Sequence, residues 1–346
     1  MNTLKLGRTD ITVSDWCLGT MTYGTHTLDD DAHRQIDMCL DAGINFIDCA
    51  EMYPVNPVLK ETAGMSEDVL GRWFAKTSRR DEVVLATKVS GAGNAKRGEQ
   101  GYDSKTVKAA VDESLRRMQT DYIDLYQLHW PNRGSYHFRQ CWSFDPSRQN
   151  RAETIALMED TLGALKDLVD EGKLRAIGLS NESAWGTTKW VDVAEQMGAP
   201  RVATMQNEYS LLCRLYDTDM AEMSVNEDVT LISYSPLACG LLTGKYQNGA
   251  RPEGSRLAIN GTLGGRATDR AFEATQAYLD IAEKHGLACD HMAMAWQRHR
   301  PFPISSIFGT TNVAQLEHLL KGKDLTLNDD VLADIEAAHK QHPMPY

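Results

Sequence analysis

Positive charge is scarce in this sequence: 36 lysines and arginines stand against 48 aspartates and glutamates, a formal net charge of −12. A field of that sign disfavours nucleic acid or an anionic membrane as a partner of the whole molecule, while leaving room for a local basic pocket. No apolar run approaches the roughly 18 residues that a membrane-crossing helix needs. Residues 1–8 lack the apolar stretch of a secretory signal. The seven cysteines (Cys17, Cys39, Cys49, Cys141, Cys213, Cys239 and Cys289) are odd in number and scattered, and none stands at a metal spacing such as C-x-x-C. The expectation is therefore of reduced, packed thiols in a cytoplasmic protein without a metal site. Repeats, low-complexity tracts and interdomain linkers are also missing.

What the sequence does contain is a regular alternation. Short apolar runs recur at Trp16-Cys17-Leu18, Phe46-Ile47, Val83-Val84-Leu85-Ala86 and Ile123-Asp124-Leu125-Tyr126. Four more follow at Leu174-Arg175-Ala176-Ile177, Val202-Ala203-Thr204-Met205, Val229-Thr230-Leu231-Ile232 and Ile304-Ser305-Ser306-Ile307. Amphipathic segments lie between them: Val107, Ala110, Val111, Leu115 and Met118 share a helical face, as do Ile155, Met158, Leu162, Leu165 and Val169. Ser66 before Glu67 and Asp68 reads as a helix start, Gly172 as a C-terminal cap, and Asn328-Asp329-Asp330 as the start of a last helix.

Eight strand–helix alternations predict a parallel sheet covered by helices, and eight strands are the number that closes a (β/α)8 TIM barrel. The rival, an open doubly wound sheet, calls for a Gly-x-Gly-x-x-Gly turn after its first strand, and Gly19-Thr20-Met21-Thr22-Tyr23-Gly24 is not one. Leu4-Lys5-Leu6 and Ile11-Thr12-Val13, joined through Gly7-Arg8-Thr9-Asp10, predict an N-terminal β-hairpin before the barrel. The whole chain, residues 1–346, is read as one barrel domain closed by a C-terminal helix. Connections after Lys88, His129 and Ser235 are long, which marks them as functional loops.

Chemistry in such a barrel collects at the C-terminal strand ends. The second run ends on Asp48, the third on Lys88 and the fourth on His129; Tyr53 lies five residues past Asp48. One charged residue at a strand exit does no more than solvate a loop. An acid, an amine and an imidazole on consecutive strands, with a phenol in reach, form a set. An ammonium favours the phenolate and lowers the tyrosine pKa from its ordinary value near 10, and a carboxylate holds the ammonium in place. That suits protonation of an oxygen as charge develops on it, the need of carbonyl reduction with a hydride cofactor. No nucleophile–base pair stands out, so a hydrolytic barrel is the weaker reading. The other strand ends, Ser180-Asn181, Gln206-Asn207, Tyr234-Ser235 and Gly309-Thr310-Thr311, offer amides and hydroxyls. The stretch from Leu237 to Lys245 carries two glycines and a lysine suited to a pyrophosphate.

These residues resemble the aldo-keto reductase family. The likeness rests on Leu6-Gly7-Arg8-Thr9, Gly19-Thr20-Met21, Asp48 with Tyr53, and the run Asp121-Tyr122-Ile123-Asp124-Leu125-Tyr126-Gln127-Leu128-His129-Trp130-Pro131. It continues through Lys173 to Asn181, Tyr234-Ser235-Pro236-Leu237 and Gly244-Lys245-Tyr246, and spans residues 3 to 340 in the family's order. Within the family it is similar to bacterial Tas-type NADP(H)-dependent reductases. The Ser235-Pro236-Leu237-Ala238-Cys239-Gly240 phrase also resembles potassium-channel β subunits.

The resemblance implies a catalytic tetrad of Tyr53 as general acid, Lys88 and Asp48 tuning it, and His129 positioning the carbonyl. It implies that Ser180, Asn181 and Gln206 hold the nicotinamide carboxamide and that Tyr234 stacks on its ring. Ser235, Pro236, Leu237, Ala238, Cys239, Gly240 and Lys245 would fold over the pyrophosphate. Gly309, Thr311 and Gln315 would contact the adenosine end, with Gly19, Thr20, Met21 and Asp48 also bordering the cofactor. NADP(H) is the implied cofactor, with NAD(H) left open, because the stretch 309–315 has no cation and His318 stands where an acid is common. Arg256 is the candidate for the missing cation. A small-molecule carbonyl is the expected partner, with Tyr23 and Trp130 as candidate substrate walls. A cofactor-sensing module with slow chemistry is the second reading. Glu51 is read as solvating its loop or pairing locally, and His285, His291, His299, His339 and His342 as solvated. The loops 91–103, 131–151 and 247–269 would set specificity.

Overall fold

The computed structural model describes residues 1–94, 96–138 and 140–346; Ala95 and Arg139, each within an expected specificity loop, lie outside the described residues. The chain opens with a hairpin in which β1 (Thr3–Lys5) pairs antiparallel with β2 (Thr12–Ser14). Strands and helices then alternate as β3 (Trp16–Gly19), α1 (Asp29–Asp41), β4 (Phe46–Asp48), α2 (Met65–Thr77), β5 (Val84–Val89) and α3 (Ser104–Met118). They continue through β6 (Ile123–Leu128), α4 (Arg151–Asp170), β7 (Leu174–Ser180), α5 (Ala184–Met197), β8 (Val202–Glu208) and α6 (Asp219–Asn226). The last part holds β9 (Thr230–Tyr234), α7 (Arg256–Asn260), α8 (Asp269–Lys284), α9 (Cys289–Gln297), β10 (Ile304–Phe308), α10 (Val313–Leu320) and α11 (Asp329–Gln341). Among the described residues β3 to β10 close into one parallel barrel, each strand beside its sequence neighbour and β10 beside β3. This is the expected (β/α)8 barrel with its N-terminal hairpin and C-terminal helix, and every apolar run read from the sequence lies on a barrel strand except for Val83 and Val229, each one residue ahead of its strand.

Two apolar layers hold it. Inside the barrel, Cys17, Phe46, Ala86, Leu125, Ala176, Ala203, Ile232 and Ile307 pack with Leu6, Ile11 and Val13 of the hairpin region, which plug the end where the strands begin. Outside, a larger cluster joins strands to helices and includes Val107, Ala110, Val111 and Met118 of α3 and Met158, Leu162 and Leu165 of α4. These are the residues whose 3.6-residue spacing made one face of each helix apolar.

Asn328 caps α11, its side chain accepting from Val331 N at 3.0 Å, and Gly172 follows α4 in the left-handed region at φ +75. Ser66 does not cap α2. The helix starts at Met65, and the Ser66 hydroxyl donates instead to Tyr23 O at 2.8 Å, tying α2 to the loop after β3. His285, expected in solvent, pairs with Asp334 of α11 at 2.6 Å. No described helix is long and apolar enough to cross a membrane.

Candidate active site

Strand alternation builds the rim. Side chains two apart face the same way, so Asp48 stands above Phe46, Lys88 above Ala86, and Gln127 and His129 above Leu125, each over an apolar residue of the barrel interior. The result is a buried polar layer on an apolar one. Lys88 is fully buried; its ammonium donates to Asp48 Oδ2 and to Cys49 O, both at 2.6 Å. The other Asp48 oxygen accepts from Gln206 Nε2 at 2.8 Å and Gln127 Nε2 at 3.2 Å. Burial works against the lysine charge, but Asp48 and Tyr53 outweigh it and hold its pKa above the ordinary value. Gln127, which the sequence reading passed over, is thus a partner of the acid; its place in the Leu125-x-Gln127-x-His129 alternation was the available signal.

Tyr53 reaches this layer because the loop after β4 turns back along β5: Cys49 N donates to Ala86 O, Glu51 N to Lys88 O, and Tyr53 N to Ala50 O. The Lys88 ammonium lies 4.9 Å from the Tyr53 ring centre. The Tyr53 and His129 rings meet edge to face with centroids 5.8 Å apart. Lys88 lowers the phenol pKa as expected, yet burial acts more strongly and the pKa is pushed up to about 12. The expectation of a phenol tuned toward neutrality is corrected: the group is a protonated acid at neutral pH. Burial, aided by Lys88, drives the His129 pKa well below the ordinary histidine value, so its ring is neutral. Its Nδ1 is buried without a partner among the described residues. The tautomer with a lone pair on Nδ1 and the proton on Nε2 avoids orphaning a buried N–H.

Glu51 is fully buried and gripped by Arg97 at 2.8 and 2.5 Å, by Ser90 N at 2.8 Å and by Lys96 at 3.3 Å. Burial pushes its carboxyl up and these partners pull it below the ordinary range. Of the two expected roles, solvating its loop or pairing locally, it takes the second, and it clamps the loop after β5 onto the loop carrying Tyr53. Of the candidate substrate walls, Trp130 adjoins the site: its ring lies 4.9 Å from His129, stacks on Phe138 at 5.1 Å, and donates to Ala92 O at 2.9 Å. Tyr23 does not face the rim. It is fully buried in the outer core, with its hydroxyl 3.3 Å from Gln35 Oε1 of α1.

A second cluster borders the first. Asn181, itself left-handed at φ +54, donates from Nδ2 to His129 O at 2.9 Å and to Ser180 Oγ at 3.1 Å, and accepts from the Tyr234 hydroxyl at 2.8 Å. Ser180 in turn donates to Gln206 O at 2.8 Å. The next loop holds Ser235, Ala238, Cys239 and Gly240 at positive φ, a run that turns the chain sharply. Gly240 stands at φ +94, a backbone conformation that side-chain-bearing residues rarely adopt, so this cradle needs glycine. Arg256 donates to Cys239 Sγ at 3.0 Å and lies 3.8 Å from Met21 Sδ, bringing α7, this loop and the end of β3 together. Burial and Arg256 lower the Lys245 pKa. Among the described residues no carboxylate forms an ion pair with Lys245 or Arg256. Two uncompensated cations over a glycine cradle are a donor set that fits a pyrophosphate and a further phosphate.

Gly309, Thr311 and Gln315 lie where β10 meets β3: Gln315 Oε1 accepts from Thr311 N at 3.0 Å, and Thr27 donates to Thr311 O at 3.3 Å. Among the described residues the hydrogen bonds of Arg256 go to Cys239 and Met21 and none to the segment 309–315. At the same rim, Arg266 and Glu208 form a buried two-point pair at 2.6 and 2.5 Å, joined by the Tyr346 hydroxyl at 3.0 Å. Nothing local in the sequence announces that pair, which spans 58 positions.

The aldo/keto reductase family model matches residues 16–340. The chain is 43% identical to "Protein tas" of Escherichia coli (strain K12) over 99% of its own length and 98% of that protein's. It is 31% identical to the "Uncharacterized oxidoreductase YrpG" of Bacillus subtilis (strain 168) over 94% and 92%. It is also 27% identical to a "Probable voltage-gated potassium channel subunit beta" of Arabidopsis thaliana over 98% and 97%.

Proposed function

Because the chain belongs to the aldo/keto reductase family, we propose that it is an NADP(H)-dependent reductase of small aldehydes or ketones, with Tyr53 as the general acid. The observation that carries this reading is the convergence of Asp48, Lys88, Tyr53 and His129 at the rim, with Lys88 2.6 Å from Asp48 and 4.9 Å from the Tyr53 ring. The bound dinucleotide supplies the hydride. Tyr53, held protonated, gives its proton to the carbonyl oxygen as negative charge grows there. The Lys88 ammonium stabilises the phenolate left behind, and Asp48 keeps that ammonium charged and in place. Neutral His129 donates from Nε2 to the same oxygen and so orients the carbonyl, with Trp130 as a wall. Ser180, Asn181 and Gln206 would hold the carboxamide, Tyr234 would stack on the nicotinamide ring, and residues 235–245 would hold the pyrophosphate. Arg256 takes the 2′-phosphate, and Gly309, Thr311 and Gln315 the adenosine. The free cysteines support a cytoplasmic location as part of this reading.

Tyr53→Phe tests the acid. NADPH-dependent reduction of a good aldehyde falls by at least about a hundredfold, while NADPH fluorescence quenching is unchanged. Activity that survives largely intact removes Tyr53 from the role. Arg256→Ala tests the cofactor: NADPH binding weakens by about tenfold or more, the loss of one charge-assisted contact, and NADH binding does not change. Equal effects on both cofactors retire the NADP(H) preference.

The likeness to a channel β subunit supports a second reading, a cofactor-sensing module with slow turnover. A panel of aldehydes with NADPH separates the two: failure of every carbonyl with tight cofactor retention favours the module.

A further inference from the structure

We propose that Asp290 and His291 of α9 and His318 of α10 form a binding site for a divalent transition cation of the zinc class on the helical layer of the barrel. The three residues each offer a ligand atom, and these atoms all lie within 4.8 Å of one another. Sequence spacing does not suggest this, and His291 reads there as solvated; packing of α9 against α10 makes the cluster.

His291 and Asp290 are each oriented by a further contact, as metal ligands are. His291 Nε2 lies 2.8 Å from His318 O. A carbonyl only accepts, so Nε2 carries the ring proton and Nδ1 keeps the lone pair. Asp290 Oδ1 accepts from His291 N at 2.9 Å, which leaves Oδ2 for His318 Nε2, 2.8 Å away. The two imidazoles are stacked, with centroids 4.7 Å apart and planes 27° apart. Gly322 lets His291 lie close, since a Cβ there would come within 2.4 Å of its Cγ. Asp290 is nearly buried while His318 is exposed, so the exposed ring swings outward to admit an ion between itself and the carboxylate.

The chemistry of the set chooses the ion. Two imidazole nitrogens and one carboxylate oxygen suit zinc, cobalt, nickel or copper rather than magnesium or calcium, which ask for an all-oxygen shell. Three protein ligands on an exposed site leave a fourth position for water. The bound cation replaces the His318–Asp290 hydrogen bond and cross-links α9 to α10. None of this depends on the catalytic reading, because the cluster shares no residue with the rim.

Full-length protein dialysed against a chelator and titrated with Co2+ reads the site directly. Expected are a visible ligand-field band that saturates at one equivalent, its displacement by Zn2+, and a Tm that rises with Co2+. His318→Gln, a change at an exposed position, and Asp290→Asn each weaken binding by at least about tenfold, with far-UV circular dichroism unchanged. A titration without saturation, or a band that survives both substitutions, overturns the proposal.

Discussion

Tyr53 and His129 sit side by side where water is scarce, and burial disfavours the charged form of each: phenolate for one, imidazolium for the other. Lys88 partly opposes burial at Tyr53 and reinforces it at His129. Both rings are therefore neutral at pH 7, the state in which each can donate a proton or a hydrogen bond. His137, close by in the loop after β6, is pushed down to about 4, mainly by burial. An unfolded histidine takes a proton near pH 6.5, whereas the folded His137 resists until about pH 4, so the unfolded chain binds more protons throughout that window. Stability falls as pH drops from 6.5 toward 4, by about 2 kcal/mol per such histidine between pH 7 and pH 5. Urea unfolding at the two values checks this, and His137→Phe removes its share; equal losses in variant and wild type contradict it. The identity of the rim residues was legible in the sequence because alternation and strand ends locate them. Their protonation was not, because a sequence records neighbours along the chain and not the exclusion of water around a ring.

Between elements, close approach and buried ion pairs do the fastening. Glu67 of α2 accepts from Arg117 of α3 and from Thr87 of β5, both at 2.7 Å, and so joins two helices to a strand. Gly71 brings α2 and α3 together: a Cβ there would lie 2.1 Å from Arg117 O. Alanine gains about 1 kcal/mol of helix propensity over glycine, but backbone cannot move aside as a side chain can, and overpacking costs about 1–3 kcal/mol. Gly71→Ala is therefore destabilising. Gly163 in α4 is the contrast, with open space where its Cβ would stand, and Gly163→Ala stabilises by up to about 1 kcal/mol. Urea midpoints for the two variants should move in opposite directions; a shared direction shows that the contact at Gly71 yields. The amphipathic faces of α3 and α4 and the start of α2 at Ser66-Glu67-Asp68 were readable in advance, while the partner of the Ser66 hydroxyl, Tyr23 O, was not, because it lies 43 positions away.

At the scale of the molecule, the barrel separates its work between two ends. Leu6, Ile11 and Val13 seal the end where the strands begin, and the polar layer occupies the other. Leu6→Ala opens a cavity in that seal and costs about 2–5 kcal/mol, with kcat at 25 °C unchanged, since the seal lies at the opposite end of the barrel from Asp48, Lys88 and Tyr53. A matching fall in kcat at a temperature where the variant is fully folded would mean that the two ends are coupled. Net charge is also divided: a chain of −12 gathers Lys245 and Arg256 beside Gly240 and Cys239, so two cations stand together on an acidic protein.

By itself the sequence determined where the eight barrel strands run and which residues crown three of them. Those are short-range matters, settled by apolar runs, by a side-chain period of two and by the count that closes a barrel. Only the tertiary structure decided the Tyr53 pKa near 12, the clamp of Arg97 on Glu51, the Arg266–Glu208 pair and the meeting of Asp290, His291 and His318. Each of these depends on distances and water exclusion between segments far apart along the chain, quantities that come into being only when the barrel closes and its helices pack.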